Sequence, residues 1–289
     1  VLNAADFGVP QYRKRVYIVG CKKKFGKVNL VFKGQQEQPV ENFLETGLPT
    51  LKNNFSKKIL SHFSVESLNG KALKDKRGGN SNIHSWEFDF KGKISDDEKA
   101  LLNALLLARR KRKWAEEIGI TWMDGMPLTT EQIRTFFDRP DLQQMLDDLT
   151  DKKYLVYEHP KKQLVHQDSN GNRYTTRVPD KTKAKGYNIV TGKLSFEISS
   201  FLDKSKPAKT IVAMDMSNIG VIDNDGIRHL TLREGLRLFG YPDSYSLKPF
   251  ENSQRNIRLG YDLIGNSVCV PVIEAIAERL LDRINPQKK

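Results

Sequence analysis

The stretch from Thr231 to Tyr245 reads Thr-Leu-Arg-Glu-Gly-Leu-Arg-Leu-Phe-Gly-Tyr-Pro-Asp-Ser-Tyr, and it constrains the fold most because it specifies both ends of a helix. Thr231 followed at the third place by Glu234 is a capping box, in which each side chain satisfies an amide that the first helical turn leaves unpaired. Leu232, Leu236 and Phe239 fall on one face, Arg233 and Arg237 lie four apart on another, and Gly240 with Pro242 supplies the stop. The outcome is a short helix with one apolar side, for which Thr231, Arg233, Glu234 and Arg237 are structural residues. By itself it is an ordinary helix with solvated arginines.

A chain of 289 residues suits two or three substructures around more than one core. Its net charge of +13 implies a partner rich in negative charge, most often nucleic acid. No run approaches the length needed to cross a bilayer, and the N-terminus has no basic region followed by an apolar stretch and cleavage site. The expectation is a cytoplasmic protein with no membrane contact, in a bacterial cytosol and nucleoid-associated when bound to DNA. Cys21 and Cys269 stand far apart with no Cys-x-x-Cys, and the five histidines are scattered, so packed thiols and no metal site are expected. Val1-Leu2-Asn3-Ala4-Ala5 runs straight into Asp-Phe-Gly-Val-Pro, as though an earlier element precedes it.

Gln11, Arg13 and Arg15 alternate before Val16-Tyr17-Ile18-Val19, which has the β-branched and aromatic bias of a strand. Period 2 places the three polar side chains on one face, where two rigid arginine forks suit phosphate or carbonyl oxygen. A solvated edge strand would look the same. Residues 22–93 are loop-like, with brief apolar pieces such as Val28-Asn29-Leu30-Val31-Phe32.

Ser95 and Glu98 form a second capping box, opening a helix with a stripe of Leu101, Leu102, Leu105 and Leu106 that continues into Arg109-Arg110-Lys111-Arg112-Lys113. Such a run is usually a solvated face; in so basic a chain Arg109, Arg110 and Arg112 are candidate phosphate contacts. Thr129 and Gln132 cap a third helix, Pro140 starts a fourth with Leu142, Met145, Leu146 and Leu149, and strands follow at 154–157 and 163–166. A turn at Ser169–Asn172 precedes Arg173–Arg177. Helices followed by a hairpin resemble a winged helix, which serves DNA or protein contacts. Lys204, Lys206 and Lys209 lead into a further short strand, Thr210–Ala213.

Three segments carry a more specific resemblance. Arg228 to Pro242 is similar to the ninth motif of the cytosine-C5 DNA methyltransferases, Gly265-Asn266-Ser267-Val268-Cys269-Val270-Pro271 to the tenth, and Gln11-Tyr12-Arg13-Lys14-Arg15 to the eighth. They stand in family order around one long variable insert. The resemblance implies that Gln11, Arg13 and Arg15 line the catalytic pocket, with Arg15 on O2 of the flipped cytosine and Arg13 near a backbone phosphate. It implies that Asn266, Ser267 and Val268 close over S-adenosylmethionine, that Thr210-Ile211 touches DNA beside the target base, and that Arg233 and Arg237 organise the junction with the recognition region. Beyond Pro271, the spacing of Ile273, Ile276, Ala277, Leu280, Leu281 and Ile284 predicts an amphipathic helix.

The expected fold is α/β with α+β: a mixed target-recognition domain with a winged-helix-like insertion, plus the C-terminal elements of a doubly wound methyltransferase sheet. The expected divisions are 1–21 as the end of the catalytic domain, 22–227 as the recognition region with its insertion at about 94–178, 228–260 as the ninth-motif helix and hinge, and 261–289 as the returning C-terminal helix. The family's Phe-x-Gly-x-Gly loop, nucleophilic Pro-Cys and Glu-Asn-Val triplet do not occur. This chain alone is therefore expected to be inactive, since attack at C6 needs a thiolate and ring activation needs a carboxyl group near N3. The implied partners are double-stranded DNA and an N-terminal half carrying motifs one to six, either a separate subunit or the rest of the same protein. The alternatives are a winged-helix DNA-binding regulator, which leaves three ordered motifs unexplained, and an interaction domain, which leaves the charge idle.

Overall fold

The computed structural model describes residues 1–20, 28–191 and 196–284. Cys21, the Lys22-Lys23-Lys24 loop, the Gly192-Lys193 pair and the side chain of Ile284 lie outside the described residues. Two compact units divide the chain: Val1–Lys71 with Phe196–Lys289, and Ala72–Ser195.

The first unit begins with β1 (Leu2–Asn3), paired antiparallel with β2 (Lys14–Arg15). Between them a 3-10 turn over Ala4–Phe7 ends at Gly8, whose φ of 77° is one that glycine adopts without strain. The strand expected at Val16–Val19 does not form: pairing stops at Arg15, and β propensity alone builds no ladder without a neighbouring strand. α1 (Asn54–Leu60) starts on Asn53, whose side chain accepts from the Ser56 amide.

In the second unit β3 (Ala72–Leu73) and β4 (Asn82–Ile83) pair in parallel. α2 (Asp96–Ala108) opens on the Ser95–Glu98 capping box and buries its four-leucine stripe. The basic run does not extend it: Arg109 is the C-cap, and α3 (Arg112–Ile118) starts separately. α4 (Thr130–Arg134) opens on the Thr129–Gln132 box, and α5 (Leu142–Asp151) buries Leu142, Met145, Leu146 and Leu149. Trp86, Trp114 and Tyr154 join these in one core. Four strands then form two nested antiparallel pairs. β5 (Leu155–Glu158) pairs with β8 (Gly186–Ile189) at the base, and β6 (Lys161–Gln167) with β7 (Arg173–Pro179) beyond it.

Back in the first unit, β9 (Ser200–Phe201) lies parallel to β10 (Ile219–Asp223), which forms a hairpin with β11 (Gly226–His229). The strand expected at Thr210–Ala213 is absent: Ala208 just before it makes a bridge to Gln11, and the chain then turns into α6 (Ala213–Met216). α7 (Leu232–Arg237) forms with both halves of its capping box. α8 (Gln254–Asn266) and α9 (Val270–Ile284) follow. Leu232, Leu236, Phe239, Tyr261, Ile264, Val272 and Ile276 form the core with Val9 and Ile211. The architecture is mixed α/β, and among the described residues this unit has parallel pairing of β9 with β10 and in the single bridge of Gln11 with Ala208.

Gln254–Arg283 contains a stretch of mean hydropathy 1.3, long and apolar enough to cross a membrane by length and composition, so the expectation that no run reaches that length needs correcting. The helix is interrupted within this stretch, since Ser267 has extended backbone, and Tyr261, Ile264, Val272 and Ile276 are committed to the core.

Candidate functional site at the motif junction

Gln11 and Arg13 are buried while Tyr12 and Lys14 are exposed, so the alternation puts the polar strip on the inner side. Gln11 donates from Nε2 to the carbonyl of Leu238, just past α7 (3.0 Å), and accepts at Oε1 from the amide of Ile211 (3.1 Å). Arg13 donates from Nη1 to the Ile211 carbonyl (2.7 Å) and from Nη2 to the carbonyls of Gly265 (3.2 Å) and Ser267 (3.1 Å), with its guanidinium 4.9 Å from the Phe239 ring centroid. Thr210 Oγ1 donates to the Tyr12 carbonyl (2.6 Å), and the Val270 amide to that of Phe239 (3.0 Å). The eighth-, ninth- and tenth-motif segments and the Thr210-Ile211 pair thus meet around two side chains.

Such a junction needs donors that survive without water, because a buried carbonyl left unpaired costs about 1–3 kcal/mol. Burial lowers the pKa of Arg13, and the positive charge of Arg15 acts in the same direction. A guanidinium still keeps its charge when desolvated, and its fork reaches three carbonyls at once. Arg13 therefore braces the backbone and presents no charge outward, which corrects the expectation that it holds a DNA phosphate. Arg15 differs: it is half-buried, and among the described residues its hydrogen bond is to its neighbour's carbonyl, Lys14 (2.8 Å).

The tenth-motif residues sit where α8 gives way to α9. Asn266 and Val268 are exposed, Ser267 is half-buried with its hydroxyl bonded to the Ile264 carbonyl (2.7 Å), and Arg13 holds the backbone on both sides of Asn266. Cys269 is buried here, and burial pushes its thiol up to about 11.

A second network, which the sequence reading missed, centres on Arg228. It is buried and donates to Asp223 (2.8 Å), to both carboxylate oxygens of Glu234 (2.9 and 2.7 Å) and to the Glu45 carbonyl (2.8 Å). Asp223 also accepts from the amides of Gly47 and Leu48, and Glu234 from those of Thr231 and Glu45. The capping glutamate of α7 thereby joins the β10–β11 hairpin to the 45–48 loop. The available signal was an Asp and an Arg within two short runs that otherwise read as buried strand. Arg233 and Arg237 reach the next loop, donating to the Tyr245 carbonyl (2.7 Å) and the Asp243 carboxylate (2.8 and 3.0 Å), and Arg237 also lies 4.0 Å from the Glu45 carboxylate.

Of the three arginines expected at phosphate, Arg112 is, among the described residues, the exposed one without an ion pair; Lys111 and Lys113 beside it are exposed as well. Arg109 is 1% exposed and donates to Asn188 (2.8 Å) and the Lys76 carbonyl (3.1 Å), with burial lowering its pKa to about 10. Its proposed phosphate contact is corrected on that ground. Its place three and four residues beyond Leu106 and Leu105 puts it on the inward stripe, a spacing visible in the sequence. Arg110 is paired with Asp124 (2.6 Å), and Arg112 is exposed. Among the described residues no group of three or more His, Cys, Asp or Glu is placed to hold a metal.

The C-5 cytosine-specific DNA methylase family matches residues 1–282. The chain is 54% identical to the Type II methyltransferase M.NlaIV of Neisseria lactamica, 51% to M.NgoBV of Neisseria gonorrhoeae and 33% to M.BanI of Aneurinibacillus aneurinilyticus. Each match covers 97% of this chain and 62% of the relative, so the chain spans about three fifths of their length. With a family match over residues 1–282 and relatives more than half identical to it, this chain belongs to the C-5 cytosine-specific DNA methylases.

Proposed function

We propose that this chain is the target-recognition and C-terminal part of a DNA (cytosine-5-)-methyltransferase, working on double-stranded DNA with the part that carries the first six motifs. The observation that supports it most is the junction itself: segments more than 200 residues apart are tied by side chains of the eighth motif. Large apolar side chains also stand exposed on segments leaving that junction, Ile18 at 92%, Leu263 at 53% and Val268 at 50%. Exposed apolar surface next to a functional centre is material for a covering partner, and the part with the missing motifs is the natural one.

In this reading Arg15 is the residue that faces the flipped base and bonds its O2. Gln11 and Arg13 are positioning residues that hold it there, and Thr210-Ile211 borders the DNA. Asn266, Ser267 and Val268 form one wall of the S-adenosylmethionine site. An exposed amide and an apolar side chain on braced backbone suit a ligand with both polar groups and methylenes. When bound, S-adenosylmethionine supplies the methyl group. The nucleophilic cysteine belongs to the other part, in keeping with the burial of Cys269. Residues 22–227 are the recognition region, and 94–178, with helices followed by a hairpin, its winged-helix-like insertion.

The test uses the assembled enzyme with labelled S-adenosylmethionine and duplex DNA. Arg15→Ala should lower methyl transfer by about 100-fold or more, the scale of losing one oriented donor in an active site, while duplex affinity stays unchanged. Equal losses of transfer and binding would make Arg15 a phosphate contact. A stable assembly that transfers no methyl group to any duplex would overturn the whole reading.

A further inference from the structure

The β6–β7 ribbon is unlike the rest of the second unit in being exposed along most of both strands. Opposed residues share a face, so the register defines two different surfaces. One carries Lys162 and Val178, Leu164 and Thr176, and His166 with Tyr174. It is internally bonded: the rings of His166 and Tyr174 stack at 5.1 Å, a ring nitrogen of His166 lies 2.6 Å from Thr176 Oγ1, and Lys162 pairs with Asp180 (3.4 Å). The other carries Gln163 opposite Arg177, Val165 opposite Thr175, and Gln167 opposite Arg173. Among the described residues neither Gln163, Arg173 nor Arg177 has a side-chain hydrogen bond or ion pair, whereas Gln167 donates to the Gly171 carbonyl (3.1 Å), and Val165 is 66% exposed. The tip is rigid, since Asp168 accepts from the amides of Asn170 and Asn172 and from the Asn172 side chain.

A merely solvated hairpin has no need to leave Gln163, Arg173 and Arg177 unpaired on one face while the other is stapled by a ring stack and an ion pair. This face holds two unpaired guanidiniums, the unpaired carboxamide of Gln163 and two methyl-bearing side chains, with the Gln167 carboxamide held to the turn. These are the groups that read base edges: Arg on guanine O6 and N7, Gln on adenine N6 and N7, and apolar contact on the thymine methyl. Dimensions agree as well, because the major groove, about 12 Å wide, admits a two-stranded ribbon. Seven residues extend about 23 Å, the rise of roughly seven base pairs.

We propose that the β6–β7 ribbon enters the major groove of the duplex and that Gln163, Arg173 and Arg177 determine the recognised sequence. The proposal rests on the chain belonging to a DNA-acting enzyme, and the experiment separates the two. The assembled protein selects duplexes from a randomised pool, methyl transfer to the selected sequence is measured in parallel, and both are repeated with Arg173→Ala, Arg177→Ala, Gln163→Ala and, from the stapled face, Lys162→Ala. The expected result is that each of the first three loses about 10- to 100-fold of its preference at one base position, a different one for each variant, while Lys162→Ala selects as the wild type does. Unchanged preference in Arg173→Ala and Arg177→Ala overturns the proposal. So does a loss of affinity uniform over all sequences with a shallower salt dependence, the mark of phosphate contact alone. Sequence selection by the wild type without methyl transfer would overturn the methyltransferase reading and leave the ribbon assignment to be decided by the variants. All four side chains lie on an exposed ribbon, so misfolding does not confound the comparison.

Discussion

Arg13, Arg109 and Arg228 are all buried, yet their charges are met by different groups. Arg13 bonds to carbonyl oxygens, Arg109 to a carboxamide and a carbonyl with its Nε unpartnered, and Arg228 to two carboxylates. Burial pushes the Asp223 carboxyl up, but Arg228 and the amides of Gly47 and Leu48 outweigh it and hold the group below its ordinary value. A depressed folded-state pKa gives stability that is complete above the unfolded value, about 3.9, and is lost as pH falls through the folded one. Thermal melts between pH 6 and pH 2 should therefore fall mainly below about pH 4, and Asp223→Asn should flatten part of that fall; an unchanged slope would show that Asp223 contributes nothing. Cys269 illustrates the opposite direction. With its thiol pushed up to about 11 and its side chain buried, it should resist iodoacetamide at pH 8 until the chain is unfolded, as read by mass spectrometry.

Among the elements, the three capping boxes at Ser95, Thr129 and Thr231 form where their spacing predicts, because the motif is local and carries its own hydrogen bonds. Packing between helices is not local. A Cβ on Gly265 in α8 would lie 2.4 Å from the backbone of Ala213 in α6, whereas one on Gly235 in α7 would meet the end of the flexible Met216 side chain at 2.5 Å. Gly265→Ala should accordingly destabilise by about 3 kcal/mol, since backbone cannot step aside. Gly235→Ala should cost under about 1 kcal/mol, with Met216 rotating and the helix gaining propensity. Denaturant titrations of the two variants make the comparison, and equal effects would contradict the packing described. The short β strands show the same limit from the other side: Val16–Val19 has the composition of a strand and no partner, while the two-residue β2 is a strand because β1 lies beside it.

For the whole molecule, the charge of +13 remains the broadest statement about a partner. Much of it is surface charge, but Arg109 and Arg228 are internal and Arg110 and Arg237 are paired, so fewer cations are free to meet an anionic partner than the count suggests. Under the proposed function, the affinity of the assembled enzyme for duplex should still fall linearly in log–log terms with salt, by about 0.9 for each phosphate neutralised. A salt-independent affinity would deny the electrostatic contact altogether.

Local signals in the sequence determined the capped helices, the apolar stripes, the hairpin at Ser169–Asn172 and the three ordered motifs, because each is written within a dozen residues and enforced by hydrogen bonds or periodicity at that range. The mixed α/β character and the family followed from these. What only the tertiary structure decided is the use of each charged side chain. Gln11, Arg13 and Arg15 look equivalent in sequence, and Arg109 looks like its neighbours. Their roles separate once Leu238, Ile211, Gly265 and Ser267 are brought around the first two and Asn188 and the Lys76 carbonyl around Arg109. Desolvation obliges a buried polar group to take whatever partners the fold supplies, and those partners stand up to 254 residues away, beyond the reach of any local pattern.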